Sequence, residues 1–183
     1  MKPGSLATIG LPCSSFVFLN SGTSKRTPAA PLGREELGYI RRANSIAARV
    51  CLLILLLTAR KCYWLVEQPS SSMFEEIPYF QHVMMIIRKF MKVHRTFFWM
   101  GCWGHFSSKG SLAYGTLGFI PKLAKRLTKK RKIRYGLSSE GVVKKGIDKR
   151  GRKVVSGGNL LRLTQEYPRK FCARVVKLHL MYL

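Results

Sequence analysis

The sequence predicts an α/β fold with a mostly parallel sheet, because short apolar strands alternate with amphipathic helices along its first 118 residues. The clearest helix covers 35–60, where apolar residues recur with the helical period. Strands connected through helices run parallel, since the crossover returns the chain to the same end of the sheet. After Phe119 the alternation stops. The chain therefore divides into an α/β region, 1–118, and a basic, partly irregular C-terminal region, 119–183.

Each predicted element has its own signal in the sequence. The strands are continuous apolar runs, as in sheets buried on both faces, and the loops are rich in glycine, proline and serine. Pro78 marks the start of the second helix, because proline fits the first helical turn. In chain order we expect a strand over 6–10, a polar loop over 20–33, a helix over 35–60, a strand over 63–66, a helix from 78, strands over 96–100 and 111–117, and loop-like chain over 136–158.

The chain is strongly basic. Its 183 residues carry 33 lysines and arginines against eight acids, a net charge of +25. Such an excess indicates a polyanionic partner: DNA, RNA or an anionic membrane surface. Nineteen of the 33 cations follow residue 118, against three acids. A hydrophobic content of 46% excludes a wholly disordered chain, and one domain plus a tail is the expected organisation.

The cysteines and the apolar runs bear on the protein's location. The five cysteines form no CxxC pair and no histidine lies at zinc-finger spacing, so we expect no disulfide framework, no metal and a reducing compartment. The apolar run over 47–59 contains Arg49 and falls short of the roughly 20 residues that span a bilayer, which favours a core helix. The N-terminus, broken by Gly10 and Pro12, is not typical of a signal peptide. We therefore expect a protein that is not secreted.

Two reactive side chains follow the first two predicted strands. Cys13 lies in Gly-Leu-Pro-Cys-Ser-Ser-Phe, just after the strand over 6–10, and Glu67 lies in Val-Glu-Gln-Pro, just after the strand over 63–66. Open α/β sheets place their chemistry at the carboxyl ends of strands, so we expect a thiol and a carboxyl side by side at one sheet edge. Taken alone, a single cysteine is most often a small buried apolar residue.

This pair resembles the catalytic core of the DNA (cytosine-5) methyltransferases. In that family a Pro-Cys loop carries the nucleophile, and a later Glu-Asn-Val or Glu-Asn-Pro segment carries an acid that grips the cytosine ring. The matching segments here are Pro12-Cys13 and Glu67-Gln68-Pro69. The resemblance implies catalytic roles for Cys13 and Glu67 and an incomplete Rossmann-like methyltransferase sheet. It also implies substrate-binding roles for Pro12, Ser14, Gln68 and Lys109.

The implied chemistry needs both catalytic groups. Addition of a thiolate to cytosine ring carbon 6 makes ring carbon 5 nucleophilic toward a methyl group. We expect strand-end N–H groups and nearby cations to keep the Cys13 thiol partly ionised. A protonated Glu67, kept neutral by burial, would hydrogen-bond ring nitrogen 3. The base must leave the duplex to reach both groups.

The resemblance covers about 3–118 and omits the family's usual cofactor site. In the family, S-adenosylmethionine binds a Gly-rich loop and an acidic residue upstream of the Pro-Cys loop, whereas only twelve residues precede Cys13 here. We therefore expect a truncated or degenerate enzyme that is active only with a complementing chain or a missing N-terminal segment. Gly157-Gly158-Asn159 and the Thr-Gln-Glu-Tyr-Pro segment over 164–168 are similar to the family's C-terminal return to the cofactor site.

A run of eight cations without an acid lies between 122 and 134. This density predicts phosphate binding, to DNA first and RNA second, or a nuclear import signal, and so a nuclear or other DNA-containing compartment. Two alternatives stay open: a noncatalytic nucleic-acid-binding protein, and a membrane-surface protein that uses the apolar helix and the basic tail. The predicted nucleic-acid-binding residues are Lys122, Lys125, Arg126, Lys129, Lys130, Arg131, Lys132 and Arg134.

Overall fold

The computed structural model describes residues 1–137, 142–147, 149, 151, 153–157 and 159–182. Within them the chain forms short 3₁₀ turns besides its strands and α-helices. In chain order the strands and α-helices are β1 (Leu6–Gly10), α1 (Ser21–Ser24), α2 (Gly38–Ala59), β2 (Tyr63–Pro69), α3 (Pro78–Arg88), β3 (His94–Trp99), β4 (Gly110–Gly115), α4 (Lys129–Arg134), β5 (Val143–Ile147), β6 (Lys153–Gly157), α5 (Asn159–Leu163) and α6 (Arg169–Leu180).

The two long helices of the α/β region follow the predicted patterns. Apart from Asn44, the buried residues of α2 are spaced three or four apart, so they form one apolar stripe. Helix α3 begins at Pro78, as predicted, because the missing proline N–H needs no partner in a first turn. The buried residues of α2 are Ile40, Ala43, Asn44, Ala47, Cys51, Ile54 and Leu57.

Helix α2 is also long and apolar enough to cross a membrane, judged by length and composition alone. Here one face of the helix lies in the protein core. Helix α2 therefore packs as the core helix that the sequence predicts.

Four strands form one mixed sheet in the order β1-β2-β4-β3. Strands β1 and β2 pair in parallel, with Gly10 opposite Glu67. Strand β4 is antiparallel to both β2 and β3, so β1, β2 and β3 point the same way and β4 lies reversed between two of them. The sheet belongs to the predicted α/β class, but the prediction that it is mostly parallel is wrong.

The reversal follows from the short connection between β3 and β4. Only residues 100–109 join the two strands, and they contain a 3₁₀ turn and no α-helix. A parallel crossover needs about a dozen residues or more, usually including a helix. A link of this length therefore favours an antiparallel pair.

The sheet is buried on both faces, and alternate residues of β2 serve different cores. Trp64 and Val66 pack with α2 and α3 on what we call the α2 face. Leu65 packs on the opposite face, called the α6 face, with Phe98 of β3 and Phe171 of α6. The rings of Phe98 and Phe171 stack with centroids 5.4 Å apart. Because side chains alternate along a strand, neighbouring residues of β2 reach different cores.

The C-terminal region is more regular than the sequence predicts. Strands β5 and β6 form an antiparallel hairpin within 136–158, where loop-like chain was predicted, so that prediction is wrong for 143–147 and 153–157. Their valines come only in pairs, too short a run to stand out as strands in the sequence. Residues 138–141, 148, 150, 152 and 158 of this span lie outside the described residues. Helix α6 buries Phe171, Val175 and Leu178 in the core of the α6 face, and the division at residue 118 stays a prediction.

Candidate functional site

The carboxyl ends of β1, β2 and β3 open onto one cleft of about 1020 Å³. They meet there because the three strands point the same way. The cleft is at the upper end of the size range of small-molecule sites, large enough for a nucleotide. Its walls combine residues from the strand ends with residues of α2, the β3–β4 link and α4, among them Cys13, Ser14, Tyr39, Pro69, Trp99, Lys109 and Lys132.

Cys13 lies on the loop after β1, residues 11–16, which we call the Pro-Cys loop. The Cys13 carbonyl accepts hydrogen bonds from the N–H groups of Phe16, at 2.9 Å, and Val17, at 3.1 Å, so the loop turns tightly. The thiol is half-buried and lines the cleft. Burial raises the pKa of the Cys13 thiol, and Lys109 opposes this effect without cancelling it. The expected partial ionisation is therefore not found, because desolvation outweighs the nearby cation.

Glu67 lies within β2, two residues before its end, and its side chain points to the α6 face. The residue is 4% exposed. Its Oε2 atom accepts a 2.6 Å hydrogen bond from the Tyr167 hydroxyl. Its Oε1 atom is 3.7 Å from Lys109 Nζ and has no hydrogen-bond partner among the described residues. The carboxyl lines a smaller groove of about 160 Å³ between β1, β2 and α6, and not the cleft itself.

Lys109 connects the two sites. Its side chain lines the cleft, and its Nζ atom donates a 3.0 Å hydrogen bond to the Thr164 carbonyl besides approaching Glu67. The thiol, the ammonium and the carboxyl are thus neighbours, and the charges of both Lys109 and Glu67 act on Cys13. A group entering from the cleft meets Cys13 and Lys109 first and Glu67 behind them.

The other predicted substrate-binding residues lie in different surroundings. Gln68 is buried on the α2 face, where its Nε2 atom donates to the Leu11 carbonyl at 3.2 Å and its Oε1 atom accepts from Ser72 Oγ at 2.9 Å. It holds the Pro-Cys loop and does not line the cleft. Ser14 is exposed and lines the cleft, whereas Pro12 is exposed outside it.

A buried arginine fixes the Pro-Cys loop from the other side. Arg26 is 1% exposed, and its Nε atom donates to the Ser15 carbonyl at 2.9 Å. Its Nη2 atom donates to Asn44 Oδ1 at 2.8 Å, which ties the loop to α2. The guanidinium lies 4.3 Å from the centre of the Phe16 ring. The loop over 20–33 thus contributes a structural cation, which is not free to bind phosphate.

The eight predicted nucleic-acid-binding residues are all exposed. Helix α4 presents five of them, and Thr128 Oγ1 caps its start by accepting from the Arg131 N–H at 3.3 Å. Lys132 lines the cleft, so the basic surface continues into the site. Lys125 Nζ lies 3.7 Å from the centre of the Trp103 ring. None of the eight pairs with a carboxylate in the part of the chain that the structure describes.

Sequence reasoning assigned no individual role to Tyr167, Arg26, Tyr39 or Trp99, although it placed Tyr167 in the 164–168 segment that was expected to return to the cofactor site. Tyr167 lies 100 residues from its partner Glu67, and nothing in the local pattern links them. Arg26 lies among turn residues, where a cation is ordinarily solvated. Trp99 is next to last in the strand predicted over 96–100, so a position near a strand end was the one available signal of a cleft residue.

No family model, no curated protein and no solved structure matches this chain. Among the described residues no group of three or more histidine, cysteine or acidic side chains is placed to hold a metal ion. Any assignment of function therefore depends on the residues of the cleft and its surroundings.

The described residues do not fit an S-adenosylmethionine site. No Gly-rich turn leads from a strand into a helix among them. The groove beside Glu67, at about 160 Å³, is smaller than the roughly 300 Å³ at which ligand pockets begin. We therefore derive no methyl-transfer step from this chain alone.

Proposed function

We propose that this chain is the base-binding half of a DNA cytosine-5 methyltransferase-like protein, truncated or degenerate, with an incomplete Rossmann-like sheet. One observation carries the proposal: β1, α2 and β2 form a parallel βαβ unit in which Glu67 lies opposite Gly10, the last residue of β1, and so close to the loop that carries Cys13. Lys109 lies between them, at the cleft. These three groups are a nucleophile, an acid and a cation, which are the groups needed for addition to a pyrimidine ring.

The proposed step is addition of the Cys13 thiol to ring carbon 6 of a cytosine. The sulfur–carbon bond forms as the Cys13 Sγ–H bond breaks, and the electrons of the ring double bond move toward ring nitrogen 3. Glu67, in its protonated form, donates a proton to that nitrogen, and the thiol proton replaces it. Lys109 favours the thiolate by its charge. The cleft volume supports entry of one base that has left the duplex.

DNA is the proposed partner, with RNA as the weaker alternative. The exposed cations over 122–134 supply sequence-independent attraction to phosphates, and Lys132 extends it into the cleft. Tyr39 and Trp99 give the cleft walls two aromatic side chains on which a base can stack. A nuclear or other DNA-containing compartment follows from this partner.

Methyl transfer requires S-adenosylmethionine from outside the described residues. We propose that a complementing chain, or a segment preceding this one, holds it and supplies the methyl group. The present chain contributes Cys13, Glu67 and Lys109, which add to and stabilise the base.

A second candidate function is noncatalytic binding of nucleic acid. The raised pKa of Cys13 favours it, since a protonated thiol is a weak nucleophile. It predicts that the triple change of Lys129, Lys130 and Lys132 to glutamate abolishes DNA binding and that Cys13→Ser changes nothing that can be measured.

The test is covalent trapping on a duplex oligonucleotide that contains 2-pyrimidinone in place of one cytosine. This ring lacks the amino group, is more electrophilic at ring carbon 6, and forms an adduct without any cofactor. We expect a denaturation-resistant complex from the wild-type chain and from Cys172→Ser, which removes the exposed control cysteine, but none from Cys13→Ser. Absence of a complex from a folded protein that still binds the duplex would overturn the catalytic proposal and support the second candidate.

A further inference from the structure

We infer that Tyr167 is a positioning residue that holds Glu67 with its Oε1 atom toward the base. The inference rests on the proposed function and extends it to the C-terminal region. Its basis is the hydrogen bond from the Tyr167 hydroxyl to Glu67 Oε2, at 2.6 Å.

The two oxygens of Glu67 face different surroundings. Oε2 is taken by Tyr167, and Oε1 lies 3.7 Å from Lys109, which lines the cleft. Oε1 has no hydrogen-bond partner among the described residues although Glu67 is almost fully buried. A buried oxygen that makes an ion pair but accepts no hydrogen bond is incompletely satisfied, so we infer that a ligand completes it.

Tyr167 acts as a donor under all ordinary conditions. Burial, together with the charge of Glu67, holds the pKa of Tyr167 well above its ordinary value. Because the hydroxyl keeps its proton and donates its hydrogen bond to Oε2, Oε1 is the oxygen left for a ligand. This is the oxygen beside Lys109, the residue that separates Glu67 from the cleft.

The ring of Tyr167 is fixed on both sides. It stacks on Phe171 with ring centroids 5.9 Å apart, and it lies over the backbone of Gly10 at the end of β1. A Cβ atom at position 10 would come within 2.6 Å of the Tyr167 hydroxyl oxygen, so only glycine leaves room for the phenol. The adjoining Thr164 carbonyl accepts from Lys109 and anchors the same segment to the site.

The experiment measures the rate of adduct formation on the 2-pyrimidinone duplex at saturating DNA. We expect Tyr167→Phe to slow the reaction about 10- to 100-fold, the loss expected for one hydrogen bond to a charged group, while the Kd for the duplex stays within about twofold. The matched control is Tyr182→Phe, which removes a tyrosine hydroxyl whose ring packs on Phe119, away from the site, and should leave the rate unchanged.

A double-variant cycle separates positioning from a structural role. If Tyr167 acts through Glu67, then Tyr167→Phe slows the Glu67→Gln protein by less than about twofold, because the acid it orients is already absent. If Tyr167→Phe slowed the wild-type protein and the Glu67→Gln protein by the same factor, the inference would be overturned. Gly10→Ala provides a second route, since it displaces the phenol and should reproduce the slow rate of Tyr167→Phe.

The two proposals fail in distinguishable ways. No adduct from the wild-type protein overturns the proposed function and the inference with it. An adduct that needs Cys13 and Glu67 but forms at the wild-type rate in Tyr167→Phe overturns the inference alone.

Discussion

The two faces of the central sheet bury polar groups in different ways. On the α2 face, Gln68 and Arg26 are buried and their polar atoms are paired with loop carbonyls and neighbouring side chains. On the α6 face, or in the chain packed against it, lie all five buried side-chain polar atoms that lack a partner within the described residues. These atoms are Glu67 Oε1, His105 Nε2, Ser111 Oγ, Arg174 Nε and His179 Nδ1.

The difference separates polar groups whose hydrogen bonds are made within the protein from polar groups that keep an atom without one. Glu67 and Gln68 are neighbours in β2, equally buried, and differ mainly in the face to which they point. The amide of Gln68 is held at both of its polar atoms and fastens the Pro-Cys loop. The carboxyl of Glu67 keeps one oxygen free beside Lys109. Under the proposed function, the α2 face builds the site and the α6 face carries the chemistry.

The largest expected effect is the loss of stability when one buried phenylalanine is removed from the core on either face of the sheet. Phe80→Ala and Phe171→Ala each remove a buried ring, so each should lower the free energy of unfolding by about 3–5 kcal/mol in denaturant titrations. Only Phe171 supports the Tyr167 ring. The folded fraction of Phe171→Ala should thus form adduct more slowly than wild type, and that of Phe80→Ala at the wild-type rate. Equal rates for the two variants would remove the distinction between the faces.

Gln68→Leu is expected to affect stability alone. It deletes the hydrogen bonds to Leu11 and Ser72, leaving the Leu11 carbonyl buried without that donor, and should cost about 1–3 kcal/mol. Urea titration measures the cost, and the adduct rate of the folded protein serves as the control. A rate that falls more than about tenfold, without a change in stability, would show that Gln68 contacts the base.

The two faces should also differ in thiol reactivity with pH. Burial raises the pKa of Cys51, on the α2 face, to about 12, whereas Cys13 is half-buried at the cleft and has Lys109 beside it. Because the thiolate is the form that reacts with an alkylating reagent, the rate of Cys13 alkylation should rise about tenfold per pH unit below its pKa and continue to rise above pH 9, where a free thiol levels off. Peptide mass spectrometry after alkylation at pH 8 should find Cys13 modified and Cys51 unmodified.

The raised pKa values of the Cys13 and Cys51 thiols also predict how the stability of the protein depends on pH. A thiol that holds its proton more tightly in the folded state than in the unfolded state loses stability as the pH rises through the unfolded value, about 8.5. The free energy of unfolding should therefore be constant near neutral pH and fall above about pH 9. Cys51→Ala should weaken that fall, and an unchanged fall would show that Cys51 is not its source.

The elements of the fold were predictable where local patterns decide them. The apolar run over 6–10 and the 3.6-residue period of α2 are local signals, and both elements form where the sequence predicts them. The reversed strand was missed although the short link between Trp99 and Gly110 was visible in the sequence. Chain length in that link, and not hydrophobicity, decides the strand direction.

The site was predictable only in part. Cys13, Glu67 and Lys109 are neighbours in the structure. Glu67 and Gln68 cannot both face one site, because adjacent residues of a strand point to opposite faces of the sheet. The Tyr167 hydrogen bond spans 100 residues and depends on how α6 packs under the sheet, so no local pattern reveals it. Burial, which raises the pKa of Cys13, is likewise a property of the folded chain.

The most direct test of the account is the adduct rate of Glu67→Gln on the 2-pyrimidinone duplex, compared with wild type at saturating DNA. Glutamine keeps the shape of the side chain but cannot deliver a proton to ring nitrogen 3. We predict a rate about 100-fold or more below wild type, within the range for loss of a general acid, with unchanged Kd and melting temperature. A Glu67→Gln protein that forms the adduct at the wild-type rate would contradict the claim that the α6 face carries the chemistry.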